Sequence, residues 1–328
     1  MLAGLAMLVL VLVAALAIGR FPVGPVEILR VLLAPAIGPV DVASGAAATV
    51  IWNVRLPRVL AALLVGAALA SAGAVYQGLF RNPLVSPDIL GVSTGASLGA
   101  ILGILLSQSV LVIQGLAFLG GIAAVTLVTL IGSAIRGRDP VLVLVLAGVA
   151  IGALLGALIS LLKILADPYD QLPAITFWLL GSLASVTPGD AVSILPAILL
   201  GVVPMALLRW RMNVLTLDDE EARALGVETR RLRILMIAAT LMTAAAVSIS
   251  GIVGWVGLLV PHVARMLVGP DFARLLPASL MLGGGYLVVV DTLARSLAVI
   301  EMPLGILTAA IGAPFFLWLL VSARAGWR

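Results

Sequence analysis

Catalysis, metal binding and redox chemistry draw on a short list of side chains, and this sequence is poor in them. Cysteine is absent, which excludes disulfides, zinc–thiolate sites, iron–sulfur clusters and thiol nucleophiles. Histidine occurs once, at His262, so a multi-histidine metal or haem site cannot be assembled within one chain. Lysine also occurs once, in Leu161-Leu162-Lys163-Ile164. A phosphate loop needs G-x-x-x-x-G-K-[ST], so the chain does not bind ATP by that device. What remains for polar work is arginine and carboxylate. Arg55, Arg58 and Arg295 sit at the ends of apolar runs, and the segment 209–233 holds six arginines and five acids.

These few charges are spread over a very apolar chain. It has 328 residues, of which 62% are hydrophobic and 10% charged, with a mean hydropathy of +1.26. Soluble domains carry about 45–50% apolar and about 25% charged residues, so a soluble globular protein is excluded. A disordered chain is excluded too, because it needs low hydrophobicity and high charge. The formal charge of +4 is almost wholly arginine at the ends of apolar runs. Nucleic-acid binding would need a solvated basic face, so these arginines report membrane topology.

At roughly 20 apolar residues per crossing, uncharged runs predict about ten transmembrane helices in an all-α polytopic membrane protein. They lie near 1–19, 59–80, 89–106, 112–135, 141–162, 191–208, 234–250, 252–267, 275–293 and 304–320. Met1–Gly19 lacks a basic leader and a cleavage site, so it reads as a retained helix. Residues 20–54 are broken by Pro22, Pro25, Pro35 and Pro39 and read as a re-entrant or surface segment with one or two short helices. Ser107-Gln108-Ser109 splits the long uncharged run 89–135, and Gln171–Gly181 reads as a half-helix. With the N-terminus inside, 13 of the 19 basic residues fall in the cytoplasm. The positive-inside rule then favours N-in, C-in.

Gly91, Gly95, Gly99 and Gly103 form an i, i+4 ladder, repeated by Gly148, Gly152 and Gly156. Such stripes let helices approach closely. They also fit the wall of a path that must move, and the two readings are compatible. In the 209–233 loop, Asp218-Asp219-Glu220-Glu221 opens a short helix that Gly226 closes. Acids suit a helix N-terminus, and Gly suits its end. With the apolar Leu215, Leu217, Ala222, Leu225 and Val227, this predicts a cytoplasmic knob for a partner.

Several spaced motifs then become specific. They are Arg55-Leu-Pro-Arg58, Gly66-Ala-Ala-Leu-Ala-Ser-Ala-Gly73, Tyr76-Gln-Gly-Leu-Phe-Arg-Asn-Pro-Leu84 and Pro87-Asp-Ile-Leu-Gly-Val-Ser-Thr-Gly95. Further along stand Ala222-Arg-Ala-Leu-Gly-Val227, Gly257-Leu-Leu-Val-Pro-His262 with Arg265, and Asp291 with Arg295. Glu301-x-Pro-x-Gly305 follows, then Thr308 and Gly312-x-Pro314. In this order, over essentially the whole chain, they resemble the FecCD family. These are the permeases of type II ABC importers for iron–siderophores, haem and cobalamin.

The resemblance implies a single permease domain over 1–328 with the type II ABC importer fold, in the bacterial inner membrane. It implies a homodimer, two cytoplasmic ATP-binding subunits and a substrate-binding protein on the outer face. ATP and magnesium belong to the partner ATPase, and no cofactor is expected in this chain. Coupling to the ATPase is carried to Asp218, Glu221, Arg223, Ala224, Leu225 and Gly226. Docking of the binding protein is carried to Arg55, Arg58 and Arg295, since arginine grips carboxylates bidentately. A plainer reading has Arg55 and Arg58 anchoring their helix at the interface and Arg295 pairing with Asp291 one turn earlier.

The inner gate and path are carried to Asn82, Pro83, Gly91, Gly95, Asp139 and Pro140. Relatives often have small hydroxyl residues where this chain has Asp139-Pro140. His262 follows Pro261 in a family pattern that does not depend on substrate, which favours packing over haem ligation. The cargo expected is an iron chelate, haem or ferric siderophore, with cobalamin or an oxyanion such as molybdate as alternatives. An ion-coupled secondary carrier would place ionisable groups at the membrane midplane, and the spans are almost free of them. An intramembrane enzyme would need a catalytic cluster, and the sequence offers none.

Overall fold

The computed structural model describes all residues except 1, 20, 22, 38–44, 136–138, 217–231 and 323–328, and among those described there is no strand. The chain runs through α1 (Leu2–Ala17), α2 (Pro25–Ile37), α3 (Ala46–Leu79), α4 (Val92–Leu105), α5 (Val110–Ala134) and α6 (Pro140–Leu165). It continues through α7 (Gln171–Leu180), α8 (Pro188–Met212), α9 (Leu232–Ser250), α10 (Val256–Val268), α11 (Phe272–Ala294) and α12 (Leu304–Ser322). Among the described residues, five helices are long and apolar enough to cross a membrane: α3, α5, α6, α8 and α11.

Two expectations need correction. The span placed at 59–80 is α3, and it begins at Ala46, passes through a π-turn at Val50–Arg55 and ends at Leu79. Arg55 and Arg58 had cut the uncharged run short. They lie inside the helix because their charges are met by groups far away in sequence. The span placed at 252–267 is the 13-residue α10, preceded by non-helical chain in which Trp255 has φ 72°. At 1.5 Å per residue, helices of 13 and 14 residues (α10 and α4) cover only about 20 Å. A hydrocarbon core is about 30 Å thick, so the chain flanking each helix has to make up the rest of a crossing. The split at Ser107-Gln108-Ser109 and the half-helix α7 fall where expected.

Helix α3 is the pillar of the bundle. Of its most apolar stretch 78% is buried, against 22% for α5 and 17% for α6. A helix apolar on all sides is covered by protein or by lipid, and α3 is covered by protein. Small residues make that possible, because backbones without side chains between them can touch. A Cβ on Gly66 would lie 2.2 Å from the Gly283 carbonyl oxygen of α11, and one on Gly73 would lie 1.9 Å from the Gly257 oxygen of α10. The ladder on α4 does the same work: Gly95 abuts Gly120 and Ala124 of α5, and Gly99 abuts Leu116. The packing reading therefore holds for Gly95, Gly99 and Gly103. Gly148 abuts the Ile89 carbonyl, while Gly152 and Gly156 on α6 meet nothing within 4 Å among the described residues.

Gly91 has a different reason to be glycine. Pro87–Leu90 forms a 3-10 turn, and Gly91 then takes φ 78° to launch α4. Ser93 donates to the Asp88 carboxylate across this turn. No atom would meet a Cβ at Gly91, so a substitution there is penalised by backbone strain alone. Gly91→Ala is expected to cost about 1–2 kcal/mol, seen as a modest drop in unfolding temperature in detergent with assembly retained.

Candidate functional site

Charged and polar side chains gather at the two ends of the bundle. One end collects the C-terminus of α1, the first turns of α3 after the π-turn, the C-terminus of α11 and the connection to α12. This is the end the arginine count assigns to the outside.

Here Arg58 is the hub. Its Nε donates to both oxygens of Asp291 at 2.8 and 3.0 Å, and its Nη1 donates to both oxygens of Glu301 at 2.9 and 3.0 Å. In each case one nitrogen is shared between the two oxygens of a carboxylate, a charge-assisted contact stronger than a neutral hydrogen bond. These contacts tie α3 to α11 and to the start of α12. The Arg58 and Asp291 side chains are 7% and 1% exposed, whereas Glu301 is 37% exposed. Glu301 is therefore the outward-facing member of the cluster.

Arg55 and Arg295 serve another purpose. The last carbonyls of a helix have no partner within it, and cations near a C-terminus also favour the helix dipole. Arg55 donates to the carbonyls of Leu16, Ala17 and Phe21, and Arg295 donates to Ala15. Together they close the end of α1. Arg295 Nε also stands 3.9 Å from Asp291 Oδ2, the i, i+4 pair read from the sequence.

Arg55, Arg58 and Arg295 are 3%, 6% and 9% exposed, and the bonds described hold their guanidinium groups inside the chain. Glu301, which the sequence offered only as part of a motif, is the member the residue types alone did not reveal.

At the opposite end, Gln77 of α3 donates to the Leu258 carbonyl at 3.1 Å and accepts from Arg265 Nη2 at 3.3 Å. The motif containing Pro261 and Arg265 thus locks α10 onto the base of α3, and His262 lies half-buried on the same helix. Asn213, at the end of α8, donates to Asp271 Oδ1 at 2.7 Å and accepts from the Phe272 amide at 2.8 Å. Asp271 in turn caps α11 by accepting from the Ala273 amide at 3.0 Å. Sequence reasoning missed this clamp, although an Asp ahead of an apolar helix is an N-cap signal.

The Ala273 amide and the Asn213 side chain hold the Asp271 carboxyl below the usual carboxylate range. A lowered folded-state value stabilises above the unfolded value and is lost as pH falls through the folded one. Asp271→Ala is expected to lower the unfolding temperature at pH 7 and to matter less in acid, as a pH series of melts would read.

The gate candidates do not form one cluster. Asn82 Oδ1 accepts from the Leu84 amide at 2.9 Å in an exposed turn, with Pro83 between them. Asp139 is the N-cap of α6, accepting from Val141 and Leu142, and Pro140 is the first residue of that helix. Gly91 and Gly95 have the turn and packing roles given above. The coupling candidates Asp218, Glu221, Arg223, Ala224, Leu225 and Gly226 lie outside the described residues. Among the described residues no group of three or more His, Asp or Glu is placed to hold a metal ion.

Comparison with known proteins shows the company this fold keeps. The chain is 41% identical to the molybdate import system permease protein of Haemophilus influenzae, over 98% of this chain and 94% of that protein. It is 44% identical to the cobalamin import system permease protein of Halobacterium salinarum, over 84% and 74% of the two chains. It is 42% identical to the hemin transport system permease protein of Yersinia pestis, over 84% of each. Its fold matches that of a metal-chelate type ABC transporter solved in an inward-facing conformation. The TM-score is 0.86 at 38% identity, covering 98% of both chains. The family model described as the FecCD transport family matches residues 7–322, and the chain belongs to that family.

Proposed function

We propose that this chain is the membrane-spanning permease of a binding-protein-dependent ABC importer for a metal-containing cargo in the bacterial inner membrane. It works as a homodimer, with two cytoplasmic ATP-binding subunits below and a substrate-binding protein above. The observation that carries the reading is likeness over the full length to permeases of such importers. The leading cargo is an iron chelate, haem or ferric siderophore. Molybdate is the second reading, favoured by the Haemophilus relative, which is matched over nearly its whole length. Relatives named for molybdate, cobalamin and hemin are all 41–44% identical to this chain, so overall likeness does not select among them.

The architecture suits the task. Backbone contacts and the Arg58 cluster join α3, α10 and α11 into a fixed scaffold. Helices α5 and α6 stand at the periphery, most of their surface uncovered by the rest of the chain. ATP binding closes the partner ATPases, and the 209–233 segment carries that motion into the bundle. The binding protein docks at the end that holds Arg55, Arg58 and Arg295. A carboxylate on it would reach Arg58 by displacing Glu301, the exposed member of the cluster. A secondary carrier is disfavoured by the buried charges themselves: Arg58 and Asp291 pair with each other near one end of the bundle.

The test is ATPase activity of this chain co-expressed with its neighbouring ATPase in liposomes. The binding protein is added empty or loaded with haem, ferric siderophore, cobalamin or molybdate. Stimulation by one loaded form is expected and names the cargo. Failure of any ATPase to co-purify would overturn the assignment.

A further inference from the structure

A cavity of about 540 Å³ lies between the C-terminal half of α5, the first turns of α6 and α9, and the end of α3. This is within the usual range for ligand sites, about 300–1,000 Å³. It is separate from the polar clusters at either end, and none of the motif roles above uses it.

Its chemistry restricts the occupant. Four hydroxyl groups line an otherwise apolar wall, those of Thr126, Thr129, Ser133 and Thr240. Each donates to a carbonyl of its own helix: Ile122, Thr126, Leu130 and Met236 respectively, all at 2.8 Å. Thr240 also meets the Tyr76 hydroxyl at 2.7 Å. A site built for a polar cargo leaves donors free to meet it. This one has used the protons of all its hydroxyls on carbonyls of its own helices, so no hydroxyl donor is left for a guest and the rest of the wall is apolar.

The mouth opens on the surface of this chain. Leu130, Ile237 and Val141 line the cavity and are 60%, 62% and 38% exposed. They stand on helices whose outer surfaces are apolar. The cavity reaches Phe80, the last residue before the chain leaves α3 at the exposed Arg81, so its depth is that of acyl chains just below a headgroup layer. We propose that it holds a phospholipid acyl chain, wedged between α5, α6 and α9. The claim needs a bilayer-embedded chain whose mouth here is not covered by a second copy, and it does not depend on what the chain transports.

The test uses the intact complex in vesicles of phosphatidylethanolamine and phosphatidylglycerol. The vesicles contain a phospholipid with a photoactivatable diazirine in its acyl chain. After photolysis, adducts are mapped by peptide mass spectrometry. Adducts are expected on the inward-lying Val125, Thr129, Leu144 and Thr240. They should fall several-fold in Thr129→Trp, which fills the space, and persist in Thr129→Val, which keeps shape without the hydroxyl. Adducts confined to the outward Leu119 and Leu127 would overturn the proposal. So would lining adducts undiminished in Thr129→Trp, or a chain-to-chain cross-link at these positions in place of lipid. If Thr129→Trp does not assemble, the wild-type map decides alone.

Discussion

Replacing Arg58 by alanine is expected to cost about 3–5 kcal/mol of folding stability, the range for breaking a buried ion pair by removing one partner. The reason is what stays behind. Asp291 is 1% exposed, and its two oxygens would lose their Nε donor. Arg295, the remaining cation, stands 3.9 Å away without a hydrogen bond. Whole domains are stable by only about 5–15 kcal/mol, so the loss should show as poor yield and a lower unfolding temperature in detergent. Glu301→Gln should do far less, because that carboxylate is partly exposed and exposed pairs contribute about 0–1 kcal/mol. The double replacement Arg58→Met with Asp291→Leu should recover part of the loss, since apolar groups can replace a buried pair at little cost. Wild-type stability in Arg58→Ala would contradict the assignment of Arg58 as hub.

The second large effect is expected at Gly73. A Cβ there would sit 1.9 Å from the Gly257 carbonyl oxygen and 2.6 Å from its carbon. These are backbone atoms of a packed helix and cannot rotate away. Gly73→Val must therefore push α10 off α3, breaking the Gln77–Leu258 and Gln77–Arg265 bonds just below. Overpacking commonly costs about 1–3 kcal/mol and more where neighbours are rigid, so loss of the folded chain is the expected result. Size-exclusion profiles of a fluorescent fusion would read it. Gly152→Val is the control: nothing lies within 4 Å of a Cβ there, and the fold of the single chain should persist. Equal damage from both would refute the close-contact account.

The all-helical class, the break after α4 and the half-helix α7 were legible because they depend on local composition. Ser107-Gln108-Ser109 interrupts an uncharged run, and α5 resumes at Val110. The start of α3 was not legible. A charge filter reads Arg55 and Arg58 as ends, and only partners 233 and 243 residues away make them interior. The same separation hid the cluster at the outer end. Asp291 with Arg295 is a one-turn pair visible in sequence, while the larger contact of Asp291 is with another helix. Asn213 and Asp271 lie 58 residues apart, so the clamp beneath α8 and α11 needed the fold. The glycine ladder on α4 was read correctly as packing because a four-residue spacing fixes the face. That Gly91 begins the ladder for a different reason shows only in its positive φ.

This chain is expected to pass cargo only while a separate ATPase hydrolyses ATP. The most direct measurement is uptake of radiolabelled cargo into liposomes holding the complex, with loaded binding protein on one side and ATP on the other. Accumulation should require ATP, require the binding protein and vanish when the partner ATPase loses its phosphate-loop lysine. It should survive collapse of proton and sodium gradients. Uptake that follows such a gradient and ignores ATP would contradict the account.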